Sequence, residues 1–203
     1  MVCVGTEVFV MIRTVAKMPM LKLIVWLCCA VQVAAVDART TTNSKIRHSM
    51  VDAVVLHSIG GPYCKSDKVE YSRAPGDALR WRSFFERHKV LGIHYVVDRQ
   101  GRVLSSVAEN RIANHALGWN ERSIGIELVN DGDGQDLFPQ AQWLAVQKLV
   151  NAIIARHPKI NANRVFRHSD IDHRIFVCGR AKIKQKQDPG KGFDYPKFVS
   201  SLD

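Results

Sequence analysis

Acidic residues are the minority in this chain: 19 Asp and Glu stand against 29 Lys and Arg, for a formal charge of +10 in 203 residues. Such a surface attracts polyanions, whether nucleic acid, anionic lipid or an acidic polymer such as cell-wall material. Yet there is no RNP, helix-turn-helix or zinc-finger pattern, so nucleic acid is not the expected partner. There are also no internal repeats, which leaves a single ordinary domain as the reading of a chain this long. Cysteine is scarce, and three of the five, Cys3, Cys28 and Cys29, lie near the start. The apolar run Leu23 to Val36, broken only by Gln32, is too short for a comfortable membrane span.

That run has the length of a secretory h-region, and Arg13, Lys17 and Lys22 precede it. Val33-Ala34-Ala35 and Val36-Asp37-Ala38 offer small residues for cleavage. The expected organisation is therefore a signal peptide or uncleaved anchor over 1–36, a flexible leader over 37–50 and one domain over 51–203. An exported, periplasmic or extracellular protein follows, held at a membrane if the segment stays attached. Export would leave only Cys64 and Cys178, either as a disulfide, which an oxidising compartment favours, or as two buried thiols.

Within the domain, Val51 to His57 reads as a strand buried on both faces. Gly60-Gly61-Pro62 stops it, and a loop runs on to Gly76. Asp77 caps a helix from Ala78 to about Lys89. Ile93 to Asp98 and Arg102 to Val107 flank Arg99-Gln100-Gly101 as a hairpin. Ser123 to Val129 is a second buried strand with Glu127 inside it, and Asn130 to Gly134 is a loop of turn formers. Pro139 opens the longest helix, to about Arg156, with Trp143, Val146, Leu149, Val150, Ile153 and Ile154 at helical spacing. A strand at Val165-Phe166 and a short helix over Tyr195 to Ser201 complete the reading. Strands and helices alternating in this way predict an α/β domain with a mixed central sheet flanked by helices.

Three residues at element ends are candidate metal ligands: His57, His168 and Asp188. Two histidines and one carboxylate leave the fourth position of a tetrahedral zinc open, which is the catalytic pattern rather than the structural one. Histidines at strand ends also serve as plain structural hydrogen bonders. Glu127 costs free energy if buried alone, so it meets a cation or sits at a pocket edge with a raised pKa, where it would shuttle protons. Lys186, two residues before Asp188, shares a face with it if that segment is extended, and there it would stabilise an oxyanion.

Taken in order, Val55-Leu56-His57, Gly92-Ile93-His94-Tyr95 with Asp98-Arg99-Gln100-Gly101, Asn114-His115-Ala116, Ser123 to Leu128, His168-Ser169-Asp170-Ile171 and Lys186-Gln187-Asp188-Pro189-Gly190 with Phe193 carry a family likeness. Across Asp52 to Phe198 the chain resembles the type 2 N-acetylmuramoyl-L-alanine amidases, zinc-dependent peptidoglycan amidases related to phage lysozyme-type amidases and peptidoglycan recognition proteins. The resemblance implies one zinc ion on His57, His168 and Asp188, with Glu127 as general base and acid and Lys186 on the tetrahedral intermediate. It implies hydrolysis of the amide between N-acetylmuramic acid and L-alanine in peptidoglycan or muropeptides, as part of cell-wall degradation or recycling. The alternative is a non-catalytic wall-binding module of the same fold.

The chain departs from that pattern in one spacing. His168 and Asp188 are twenty residues apart where many relatives have about ten, and the intervening Asp172 to Gln185 contains His173 and Cys178 as rival ligands. Ile93 replaces a tyrosine of the phage-type members, which fits the branch that uses glutamate at the position of Glu127. His94 is expected to be structural or to support a ligand. His115 and Arg111 are candidate substrate contacts, and Arg167 and the insertion are further candidate selectors of the stem peptide.

Overall fold

Every side chain of β1 (Ala53–Ser58) is buried, as its apolar run predicts, and the rest of the sheet is built outward from it. The computed structural model describes residues 44–203. The segment read as a signal or anchor, and the part of the leader before Ser44, lie outside the described residues. Beyond β1 come β2 (Pro62–Lys65), β3 (Lys68–Tyr71), α1 (Ala78–Arg87), β4 (Tyr95–Val97) and β5 (Val103–Ser105). They are followed by β6 (Ser123–Leu128), α2 (Gln140–Arg156), β7 (Val165–Arg167), the single turn α3 (His168–Ile171), β8 (Ile175–Cys178), β9 (Ala181–Lys184) and α4 (Tyr195–Ser200).

Five strands make one sheet in the order β5-β4-β6-β1-β7. β1 pairs in parallel with both β6 and β7, and β4 pairs in parallel with β6, while β4 and β5 form the expected antiparallel hairpin. The sheet is therefore mixed, with helices on both faces. Side chains alternate across a strand, so each face has its own composition. Val54 and Leu56 of β1 join Ile124, Ile126 and Leu128 of β6 against Val146, Leu149, Val150 and Ile153 of α2. Each such fully buried aliphatic side chain contributes roughly 1.5–3 kcal/mol from removal of apolar area from water. On the opposite face, Ile93 and Val96 pack with Ala78 and Phe85 of α1.

Local chemistry sets the element ends. Asp77 caps α1 as expected, its Oδ1 accepting from the backbone N–H of Arg80 at 3.0 Å. Pro139 precedes α2, where its missing N–H costs nothing. Gln142 is wholly buried in α2, and its Nε2 donates to the carbonyls of Val97 (2.9 Å) and Val129 (3.3 Å), tying the helix to β4 and the end of β6.

Two features differ from the sequence expectation, and a third settles what it left open. The stretch after Pro62 is a hairpin and not an open loop: β2 and β3 turn through Ser66 and Asp67, both with positive φ. That two-residue turn lacks the Asn-Gly signature that announces such hairpins. The insertion likewise folds into the hairpin β8–β9, and Cys64 of β2 is disulfide-bonded to Cys178 of β8. The exposed leader is anchored at its end, because Ile46 bridges Arg111 and the Arg47 guanidinium donates to the carbonyls of Glu109, Arg111 and Ser123 at 3.0–3.1 Å. Among the described residues, no helix is long and apolar enough to cross a membrane.

Candidate active site

The carboxyl ends of the parallel strands β1, β6 and β7 converge, which is where open α/β sheets place their ligands. In the parallel register His57 lies beside Glu127. The same alternation that sends Ile124, Ile126 and Leu128 toward α2 sends Ser123, Gly125 and Glu127 to the other face. His168 follows β7 immediately, on the first residue of α3. Asp188 comes from the turn after β9, held there by Ser169, whose backbone N–H donates to the Asp188 carbonyl at 3.1 Å. The inserted hairpin thus leaves the chain and returns it to the point from which Asp188 reaches the histidines.

His57 Nδ1 lies 3.0 Å and His168 Nδ1 2.9 Å from the same oxygen, Asp188 Oδ2. The three donor atoms all fall within 4.8 Å of one another. Burial is the main force on the His57 ring and pushes its pKa down to about 4 against the pull of Asp188, so the ring is neutral at ordinary pH. Burial alone would raise the Asp188 pKa, but interaction with the histidines, first the hydrogen bond from His168 Nδ1, outweighs it and holds the carboxylate ionised. Two imidazole nitrogens crowded on one carboxylate oxygen fit a divalent cation such as zinc, one ligand short of its tetrahedral set.

Glu127 opens onto the same cleft, a space of about 470 Å³ also lined by Lys186 and His115. Its Oε2 is closed off from solvent and has no hydrogen-bond partner among the described residues. Burial, reinforced by the negative charge of Asp188 and only partly opposed by Lys186, pushes its pKa up to about 8. An unpaired buried carboxyl is costly, and one at a pocket wall with a raised pKa has the properties that proton transfer requires. Lys186 is half-buried and forms no ion pair among the described residues. A second cleft, of about 370 Å³, lies beyond Leu91 and Gly92 and is lined by none of these groups.

The remaining candidates divide. His115 lines the cleft but is turned toward His57, with His115 Nδ1 and His57 Nε2 3.0 Å apart. Arg111 is not among the residues that line the cleft; its Nε donates to Ser44 Oγ at 2.8 Å and its Nη2 to the Ser44 carbonyl. Arg167 is likewise committed, to Asp170 at 2.7 Å and over the Tyr195 ring. Of the rival ligands, Cys178 is consumed by the disulfide and His173 is exposed, outside the metal-competent group. His94 is structural, fully buried, with Nδ1 accepting from the Gly125 N–H at 3.0 Å. Sequence reasoning missed Asp172, whose buried carboxylate faces His168 Nε2 at 3.7 Å while Arg174 holds its pKa down to about 2. Ser123, on the same face of β6 as Glu127, places its Oγ 3.3 Å from His115 Nε2, a contact the period-two spacing Ser123-Gly125-Glu127 allowed but did not show.

Comparison with known proteins agrees with this arrangement. The family described as N-acetylmuramoyl-L-alanine amidase matches residues 47–191. The chain is 33% identical over 117 residues to the 1,6-anhydro-N-acetylmuramyl-L-alanine amidase AmpD of Haemophilus influenzae. That alignment takes in 54% of this chain and 57% of the relative, so it spans little more than half of either. Among solved structures, an AmpD derivative superposes with a TM-score of 0.61 at 22% identity, covering 81% of this chain and 92% of that one. AmiD from E. coli, solved with anhydro-N-acetylmuramic acid-L-Ala-D-gamma-Glu-L-Lys, gives 0.56 at 23% identity, covering 79% and 61%. These structural likenesses speak for the fold. The family match, over well more than half of the sequence, places the chain in the N-acetylmuramoyl-L-alanine amidase family.

Proposed function

We propose that the protein is a zinc-dependent amidase that cleaves the bond between N-acetylmuramic acid and L-alanine in peptidoglycan or its soluble fragments. The observation that carries this reading is the meeting of His57 Nδ1, His168 Nδ1 and Asp188 Oδ2 in a cleft whose wall holds the unpartnered Glu127 Oε2. A zinc ion on these three residues would lower the pKa of a water to about 7 and polarise the scissile carbonyl. The protein groups supply the rest. Glu127 takes the proton of the attacking water and delivers it to the leaving amine, a double role that needs a carboxyl with a pKa raised well above the ordinary carboxylate range, as burial does here. Lys186, with its ammonium unpaired, balances the negative charge that develops on the carbonyl oxygen.

The substrate class follows from the relatives and from charge. AmiD was solved with an anhydromuramyl peptide, and the AmpD relative is named for the 1,6-anhydro form. A net charge of +10 favours an acidic stem peptide and an anionic wall. The Cys64–Cys178 bond supports an exported location as part of this reading, since disulfides persist mainly in oxidising compartments.

The test is release of stem peptide from muropeptides by the zinc-loaded protein beside Glu127→Gln, with zinc content measured on both. About one zinc per chain in both proteins, with turnover lost only in the variant, is the expected result. Wild-type protein that holds zinc and releases nothing would leave a binding module. A Glu127→Gln protein that keeps full activity would remove Glu127 from the mechanism.

A further inference from the structure

A chain of hydrogen bonds behind His57 determines which of its two nitrogens is free to face a metal. It begins at the Trp119 carbonyl, which can only accept. Ser123 Oγ lies 2.7 Å from that carbonyl, so the single hydroxyl hydrogen of Ser123 is spent there. His115 Nε2 lies 3.3 Å from the same Oγ. With its hydrogen committed, the hydroxyl oxygen can only accept, and the proton of the His115 ring must therefore be on Nε2.

His115 Nδ1 is then bare, and it faces His57 Nε2 at 3.0 Å. A bare nitrogen accepts, so His57 donates from Nε2, and the lone pair of His57 lies on Nδ1, the atom 3.0 Å from Asp188 Oδ2. The place of the His115 ring is built into the sheet. A Cβ on Gly125 would fall 2.6 Å from His115 Cγ, 2.7 Å from its Nδ1 and 2.7 Å from Ile93 Cδ1. The residue between Ile124 and Ile126 thus has no side chain because the ring occupies that space. Edge contacts with His94 (5.7 Å between centroids) and His57 (5.1 Å) complete the cage.

We propose that Ser123 and His115 are positioning residues which hold His57 as its Nε2–H tautomer, so that Nδ1 is the metal-facing donor. This rests on the metal reading of the site, but it concerns ligand geometry and not turnover. It also reassigns His115, which orients a ligand from behind and is not chiefly a substrate contact. Partners of this kind typically tune metal affinity by about 10–100-fold.

The experiment uses the zinc-loaded full chain. Ring ¹⁵N shifts in wild type should show His115 protonated on Nε2 and bare on Nδ1, with a slowly exchanging His57 Nε2–H. Zinc affinity, measured by competition with a chromophoric chelator, should fall about 10–100-fold in His115→Ala. It should recover most of that loss in His115→Gln, whose side-chain carbonyl accepts from His57. A wild-type His115 protonated on Nδ1, or a folded His115→Ala with unchanged zinc affinity, overturns the proposal. If His115→Ala fails to fold, the wild-type spectrum still decides. A protein that takes up no zinc overturns both this and the proposed function. One that binds zinc with this tautomer but cleaves no muropeptide loses only the function.

Discussion

Glu109 joins parts of the fold that are far apart in sequence, and its titration should be visible in the stability of the whole domain. Its carboxylate accepts from Tyr95 of β4 at 2.6 Å, from Arg156 at the end of α2 at 2.7 Å, and from His157 at 2.8 Å. Burial pushes its pKa up, but the three hydrogen bonds together outweigh burial and bring it from 4.5 down to about 2. At 1.36 kcal/mol per pKa unit, this corresponds to about 3 kcal/mol of native-state preference for the ionised form. Its side chain is only 17% exposed, so solvent screening removes little of that. The sign follows from the direction: a carboxylate with a lowered folded-state pKa stabilises the native state above about pH 4.5. That stability is lost as pH falls through about 2. Urea unfolding of wild type and Glu109→Gln from pH 7 to pH 2 should show the variant less stable by up to about 3 kcal/mol at neutral pH. The gap should close between pH 4.5 and 2. A gap that stays constant across that range would refute the linkage and leave only a packing effect.

Three further outcomes follow from the geometry. Mutating both Cys64 and Cys178 to Ser should cost about 5 kcal/mol in urea unfolding on the chain-entropy model, because the bond closes a loop of 114 residues; a loss below about 1 kcal/mol would mean that the two hairpins are ordered without it. Gly125→Ala should destabilise by about 1–3 kcal/mol through overpacking against His115 and Ile93, lowering Tm by about 2–4 °C per kcal/mol. An unchanged melting curve would show that the ring gives way freely. Chelation of zinc from protein held at a free zinc level of 100 times Kd should remove about 2.7 kcal/mol of stability. Asp188→Asn should abolish the response to zinc, and an unaltered response in that variant would take Asp188 out of the ligand set.

Short-range rules made much of this molecule legible in advance. The continuous apolar run before His57 could only be a strand covered on both sides, and α2 declared itself by helical spacing and by Pro139. The ligand candidates stood out because they ended elements, and Glu127 because a carboxylate interrupted an apolar strand. Pairing across long sequence distances was not legible. Nothing local shows that Cys64 meets Cys178 or that the insertion is a hairpin, since short exposed strands carry little apolar pattern and depend on what they are tied to. Arg111 read as a candidate substrate contact, and its pairing with Ser44, 67 positions away, was not legible. His115 was visible as a histidine in a motif. Its role emerged only when the sheet set Gly125 beneath its ring and Ser123 and His57 at its two nitrogens. Composition and periodicity determined which residues are buried and where strands and helices run, because burial and backbone geometry act residue by residue. The tertiary structure alone decided which polar groups face one another, because a contact between residues 58 or 131 positions apart depends on strand register and crossover, not on either residue's neighbours.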